Sequence, residues 1–437
     1  LACCALGVAS GGAGSARASA FELYGFHPRA QAMAGAMTAG DDDYTAVFYN
    51  PAALGLGDRV SFGFGLTLTV PDLYVDRAPG LGDSSHPTVL PKPTLGATLG
   101  WRYPIGGIFR RKVAVGVGIY LPVARIVRVQ GLDPLTPQFY LYQNLSEKLL
   151  LVVGASARVA RWLTLGAGAL VLADLGGHSN LHLDVANGTF RAADFSVELV
   201  PTITPTAGAH VHLDGGLDLG LSVRGSSSLT FSLPVTVTEG EAVSLDIGVV
   251  QTVLWSPPEV ALGMSYRAPD GRLRLSADLT LSLWSLAPDP SPRLSVDIGG
   301  ALLDGLGLGH AIDVSARTRP VDLAFANTLV PRLGAEWAPL GWLRLRAGYA
   351  FRPTPSPRQT GTMAYLDNDA HIVGLGAGVV FGDPLKVHKR PVRLDLSAQA
   401  TILPRRTVYR EEVGDPLGDL SHGGVVWTFS AAVSHEY

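Results

Sequence analysis

Few residues in this chain are placed to do chemistry. Histidines pair at His178 and His182, and again at His210 and His212. On a strand the second pair would face the same way, so a shared metal is geometrically possible; polar residues lining a lumen or an interface give the same pattern. Asp41, Asp42 and Asp43 form an acidic run that would attract a cation. A turn in which Asp caps a helix or bonds the backbone explains the run equally well. Serine is plentiful, but no Gly-x-Ser-x-Gly element occurs, and so the nucleophile turn of a hydrolase is missing. Gly374, Gly376 and Gly378 fall on one strand face with no helix signal behind them, which suits close packing against a strand rather than a phosphate loop. What remains is an array of charges: Arg274, Asp278, Glu336 and Arg346, with Arg344, Arg393 and Asp395 nearby in the pattern.

The elements that must hold those charges alternate with period two. Leu273, Leu275, Ala277, Leu279, Leu281 and Leu283 share one face, while Arg274, Ser276, Asp278, Thr280 and Ser282 share the other; a helix would scatter them. About 14 such segments are read, near 59–70, 93–103, 112–121, 147–160, 162–173, 196–212, 216–225, 257–267, 272–284, 330–338, 342–352, 371–382, 391–403 and 424–437. Ten residues at about 3.3 Å each, tilted near 40°, cover the roughly 25 Å apolar band of an outer membrane. A charge facing lipid at the midplane would cost roughly 2–4 kcal/mol, which turns the charged faces inward. Arg274, Asp278, Glu336 and Arg346 are therefore the candidate lumen network.

Connections carry independent information. Arg161-Trp162, Asp214-Gly215-Gly216, Ala268 to Gly271 and Pro339-Leu340-Gly341 are tight turns, and long connections at 71–92, 122–146, 174–195, 226–256, 285–329, 353–370 and 404–423 lie between the short ones. Short periplasmic turns alternating with long extracellular loops are the signature of an outer-membrane barrel. Trp101, Tyr103, Trp162, Trp337 and Trp342 lie beside the short connections, as an interfacial girdle requires. The expected fold is all-β: a transmembrane antiparallel β-barrel of about 14 strands over 58–437, preceded by a plug with short helices.

Composition agrees. Of 437 residues, 16% are charged and 47% hydrophobic, and net charge is −3, which excludes a strongly basic nucleic-acid binder. The only cysteines are Cys3 and Cys4, so neither a disulfide scaffold nor a cysteine zinc site is available. Leu1–Ala16 is uncharged and apolar, and Ala18-Ser19-Ala20 follows as a cleavage site; residues 1–20 read as a truncated signal peptide. Leu1-Ala2-Cys3-Cys4 gives a weaker lipoprotein reading. Residues 21–57 do not alternate; Ala30, Met33, Ala34 and Met37 have helical spacing. This segment is expected inside the barrel as a plug, with a flexible periplasmic extension as the alternative.

Here the sequence resembles the outer-membrane transport family of FadL, TodX and OMPP1-like proteins, which take up long-chain fatty acids and aromatic hydrocarbons. The residues that carry it are Ala39-Gly40-Asp41-Asp42, then Thr45-Ala46-Val47-Phe48-Tyr49-Asn50-Pro51-Ala52, and later Pro258 to Gly263, Thr328 to Trp337, Leu345 to Tyr349 and Leu366 to His371. Residues 71–256 match only in strand pattern. The final strand, ending on Tyr437, is similar to the signal read by the barrel assembly machinery.

The resemblance implies location in the outer membrane, among its lipid and lipopolysaccharide, with no cofactor, no metal and no enzymatic activity. It implies passive transport of hydrophobic small molecules, fatty acids or aromatic hydrocarbons, by capture at extracellular loops, plug movement and lateral exit. Asn50, Pro51 and Ala52 are the plug motif. Phe21, Gly116, Gly118 and Pro122 are the gate candidates, the last three as a kink in the third strand. A structural or adhesion barrel and a lipid-modifying barrel enzyme remain rival readings.

Overall fold

A computed structural model describes residues 24–40, 43–77, 88–109, 112–123, 136–142, 148–184, 189–239, 243–289, 293–299, 313–317, 323–358, 364–383, 390–410 and 417–437. The leader at 1–20, Phe21, Asp41 and Asp42 lie outside the described residues.

Fourteen strands close a ring. They are β1 Ser61–Arg77, β2 Thr94–Pro104, β3 Val113–Pro122, β4 Leu150–Arg158, β5 Leu163–Asp184, β6 Thr189–Leu213 and β7 Leu217–Arg224. The second half is β8 Glu259–Arg267, β9 Leu273–Ser282, β10 Thr328–Leu340, β11 Leu343–Arg352, β12 Ala370–Phe381, β13 Val392–Val408 and β14 Leu420–Glu436. Each pairs antiparallel with the next, and β14 returns to β1 from Ser61↔Glu436 to Arg77↔Leu420. An even count brings both ends of the ring to one rim, the rim of the short turns.

Burial along these strands is inverted relative to a water-soluble protein. In β1 the small residues Ser61, Thr67 and Thr69 are buried, while Phe62, Phe64, Leu66 and Leu68 are each about 40% exposed. In β9 Arg274, Ser276, Asp278, Thr280 and Ser282 are buried and Leu275, Leu279 and Leu281 are exposed. A surface of leucine around an interior of arginine is stable only when the outer solvent is hydrocarbon. Trp101, Trp162, Trp337 and Trp342 are half exposed beside the short turns, at the depth where indole rings sit between lipid and water. Among the described residues no helix is long and apolar enough to cross a membrane.

The alternating segments match the ring strands one for one, but not in length. The β5–β6 hairpin was expected to end near 173 and restart near 196; it stays paired through Asp184↔Thr189. The connections at 226–256 and 285–329 were read as loops; they hold further strands at Ser227–Glu239, Val243–Ser256, Arg293–Gly299 and Asp313–Arg317. The strand at Ser227–Glu239 joins β5 in parallel at Ser179↔Val235. Alternation of apolar and polar residues reports only the membrane-embedded stretch. Above it the ladder continues without that pattern, because pairing there needs only backbone groups.

The N-terminal segment has three short turns: helix α1 Pro28–Ala32, helix α2 Ala46–Tyr49 and a 3₁₀ turn Pro51–Gly55. The first and third are capped by a side-chain acceptor, and the second follows a turn closed by one. His27 Nδ1 accepts from Arg29 N at 3.1 Å, Asp43 Oδ1 from Thr45 N at 2.8 Å, and Asn50 Oδ1 from Ala52 N at 3.1 Å. Pro28 and Pro51 occupy the first helical positions, where the missing N–H costs nothing. Helix α1 closes through Gly35, whose φ of +80° suits the bond from its N–H to Ala30 O at 2.8 Å.

Candidate functional site

Inside the ring the N-terminal segment meets two different walls. The first is β3 to β5, whose inward residues Tyr120, Leu150, Val152, Leu170 and Leu172 are buried and apolar. The segment turns Phe26, Val47 and Leu54 toward this wall. A Cβ at Gly116 would lie 2.6 Å from Leu54 Cδ2, and one at Gly118 would lie 2.5 Å from Phe26 Cζ. These two glycines make room for the segment's side chains; they do not interrupt the ladder. Gly116 faces Arg102 and Gly154, and Gly118 faces Gly100 and Val152, all in register. The ladder is in register on both sides of Gly116 and Gly118, the residues expected to kink the strand. Among the described residues the β3–β4 ladder runs to Tyr120↔Leu150 and the β2–β3 ladder to Gly96↔Pro122.

The second wall runs from β9 to β13 and is charged. Arg346 on β11 donates from Nε to Glu336 Oε2 at 2.6 Å and from Nη1 to Asp395 Oδ1 at 2.6 Å. The segment enters the same cluster: Arg29 Nε lies 3.2 Å from Glu336, and Asp43 lies 3.2 Å from Arg393, which also holds Asp395 at 2.9 Å. Three guanidiniums thus face three carboxylates, so charge is balanced where burial makes imbalance costly. Burial alone would raise the Asp43 carboxyl, but Arg393 and Arg29 hold it well below the usual carboxylate range. His27 packs beside them, its Nε2 3.7 Å from Asp395. Burial lowers its imidazole to about 4, against the pull of Asp395 and Asp43.

The four charges expected as one network divide into two. Glu336 and Arg346 belong to the cluster above. Asp278 instead accepts from Met37 N and Thr38 N, both at 2.8 Å, and Arg274 donates to Gly40 O. Asn50 acts at the same seam: Nδ2 donates to Thr38 O at 2.9 Å and to Ala209 O at 3.1 Å. Pro51 and Ala52 press on Gly166 of β5, where a Cβ would meet their backbone. Arg29 was missed in the sequence because an apolar helical repeat drew attention to Ala30 and Met33; a lone arginine inside that repeat was the available signal.

Toward the extracellular end lies an aromatic layer. Residues 136–142, between β3 and β4, run inside the mouth, and Gln138–Phe139 pairs in parallel with Tyr365–Leu366. Tyr140 packs against Phe325 at 5.1 Å, Tyr365 at 6.0 Å and Trp284 at 6.2 Å. Arg352 binds Asp367 at 2.9 Å and Tyr142 Oη at 3.2 Å, while Asn368 Nδ2 donates to Pro404 O at 2.7 Å. Burial raises the Tyr142 phenol to about 12, so it stays a neutral partner for Arg352. The run Phe139-Tyr140-Leu141-Tyr142 within a long connection was the overlooked sequence signal.

Between this layer and the N-terminal segment is a cavity of about 100 Å³, lined by Ala30, Tyr49, Tyr142, Arg224, Arg332 and Arg352 among others. Arg224 has Glu259 at 3.5 Å and Arg352 has Asp367. Arg332 bonds the Thr280 hydroxyl at 2.5 Å and has no carboxylate within ion-pair distance among the described residues. On the opposite side of the segment, His210 Nε2 lies 3.3 Å from Ala39 O, and His212 Nδ1 lies 2.7 Å from Asp218. No group of three metal-binding side chains occurs among the described residues. The side chains of His178 and His182 lie outside the description.

No family model matches the chain. It is 24% identical to alkane uptake protein A of Marinobacter nauticus over 95% of this chain and 90% of that one. Among solved structures, a FadL homologue from Pseudomonas aeruginosa superposes with a TM-score of 0.58 at 14% identity, covering 97% of this chain and 99% of the other. The toluene transporter TodX of Pseudomonas putida gives 0.57 at 16% identity, covering 95% and 99%. Its fold is that of the FadL and TodX barrels of the outer membrane. As in any closed barrel of this size, what passes depends on what fills the ring. Here the filling is a segment apolar on one side and charged on the other.

Proposed function

We propose that the barrel carries hydrophobic molecules passively across the outer membrane, with long-chain fatty acids as its principal cargo. Residues 21–57 act as a plug. One observation carries the reading: the axis is obstructed by a buried aromatic layer and a charge-pinned segment, while one wall, β3 to β5, offers apolar surface. Cargo is captured at the extracellular aromatic layer, moves past the plug along that wall, and leaves sideways into lipid beside β3. Pushing an alkyl tail through water instead would cost roughly 0.8 kcal/mol per exposed CH₂. The relatives point to the same class of cargo, alkanes in one name and toluene in another.

Fatty acid is favoured over alkane by Arg332, which lines the cavity opposite Asp278 without a direct ion pair to it, so that its guanidinium keeps donors for a bidentate bond to an acid head group. Uptake of labelled oleate and labelled hexadecane into cells with and without the gene tests this. Both should enter faster with the gene, and Arg332→Gln should slow oleate only. Equal entry with and without the gene overturns transport, and equal loss of both cargoes on Arg332→Gln overturns the acid-binding role. Large steady conductance of the wild-type protein in planar bilayers would contradict the closed axis.

A further inference from the structure

We infer that the periplasmic mouth of the barrel holds a binding site for a phosphate group, separate from the cargo path. A pocket of about 160 Å³ opens there between the start of β1, the end of β12 and the adjoining ends of β13 and β14, and it is lined by Arg59, Arg344, Arg390, Arg393 and Glu436. The alternation that turns Arg346 inward does the same for Arg344, opposite Gly378, and Arg393 lies opposite Val380 and Ser434. The guanidiniums therefore converge from strands that the ring closure brings together.

The charges there are unevenly matched. Deeper in, the plug cluster is balanced. Arg393 is taken up by Asp395 and Asp43, and Arg59 by Glu436 at 3.3 Å. Arg344 reaches only Glu336, at 3.9 Å, a carboxylate already held by Arg346 at 2.6 Å and Arg29 at 3.2 Å. Arg390 has no carboxylate within 4 Å among the described residues and is exposed. Two guanidiniums at one opening, each with unused donors, match the charge and geometry of a phosphate better than those of a single carboxylate. None of these residues lies along the apolar wall, and the cargo reading does not use the pocket. The phosphate has two possible sources, a free phosphate of the periplasm or the head group of an anionic phospholipid in the inner leaflet.

The test uses the full-length protein. Inorganic phosphate is titrated calorimetrically into the detergent-solubilised barrel at low ionic strength, with chloride as the reference anion. Wild type should bind saturably, and Arg344→Gln with Arg390→Gln should weaken binding at least tenfold. Arg161→Gln, at a different point of the same rim, should leave it unchanged. Retention of each variant's folded electrophoretic mobility without heating separates lost binding from lost fold. In a second arm, nanodiscs of phosphatidylglycerol are examined by native mass spectrometry. Lipid retained by wild type, lost in the double variant and displaced by phosphate identifies the head group as the source; phosphate binding without retained lipid identifies the free anion. The inference is overturned if wild type binds neither, or if the double variant binds as wild type does.

Discussion

The two walls of the lumen differ in what they ask of the plug. Across β9 to β13 contact is made by short, directional bonds, such as Asp278 accepting from Met37 N and Thr38 N, both at 2.8 Å, and Arg29 meeting Glu336 at 3.2 Å. Across β3 to β5 it is made by Phe26, Val47 and Leu54 lying over glycines. Directional bonds between buried charges hold one register and lose much when shifted by an ångström. Apolar contact tolerates sliding, provided area stays covered. On the proposed function, the charged wall fixes the plug and the apolar wall is where cargo takes its place. A transporter of hydrophobic molecules needs both on one segment: a hinge side that stays and a face that yields.

The comparison breaks most visibly at Arg346. Replacement by alanine leaves Glu336 and Asp395 buried without their shared partner, at a cost of about 3–5 kcal/mol. The plug should become sensitive to added protease and ion conductance should appear in planar bilayers, while the barrel keeps its folded mobility. Gly118→Val acts on the other wall. Its side chain would collide with Phe26, an overpacking of about 1–3 kcal/mol, and labelled oleate uptake should fall with no gain in conductance.

Acidification sharpens the contrast further. His27 has its pKa lowered by burial to about 4, so its contribution is complete above the unfolded pKa of roughly 6.5 and is lost as pH falls between these values, by at most about 1.4 kcal/mol per pH unit. Asp43, held low by Arg393 and Arg29, loses its contribution only below the unfolded carboxylate pKa of roughly 4. Protease sensitivity of the plug against pH should therefore rise first below 6.5 and again below 4, and Arg393→Ala should flatten the second rise.

The barrel was legible in the sequence because the bilayer imposes its own period. Leu275 and Leu279 face lipid, Arg274 and Asp278 face inward, and that alternation marks every ring strand. Where the bilayer stops, so does the code, which is why the β5–β6 hairpin and the strands at 227–256 were read as loops. The N-terminal segment showed itself by breaking the alternation. Its partners did not show, because Arg29 and Asp43 meet Glu336 and Arg393 across some 300 residues of chain, and no local pattern encodes such a pairing. Gly116 and Gly118 were read as candidates for a kink since glycine weakens a strand; that they also make room for Leu54 and Phe26 depends on contacts across the lumen that no local pattern encodes.

The central claim, passage along the β3–β5 wall and exit beside β3, is tested most directly by stapling that wall. Val117 and Val153 lie opposite each other on β3 and β4, as do Leu333 and Tyr349 on β10 and β11, at the separation that antiparallel neighbours share with disulfides. Cysteine pairs at each position, oxidised and then reduced in cells, are compared for labelled oleate uptake. The account predicts that the Val117→Cys, Val153→Cys staple lowers uptake to the level without the gene, that reductant restores it, and that the Leu333→Cys, Tyr349→Cys staple has no effect. Full uptake through the oxidised β3–β4 staple would contradict it.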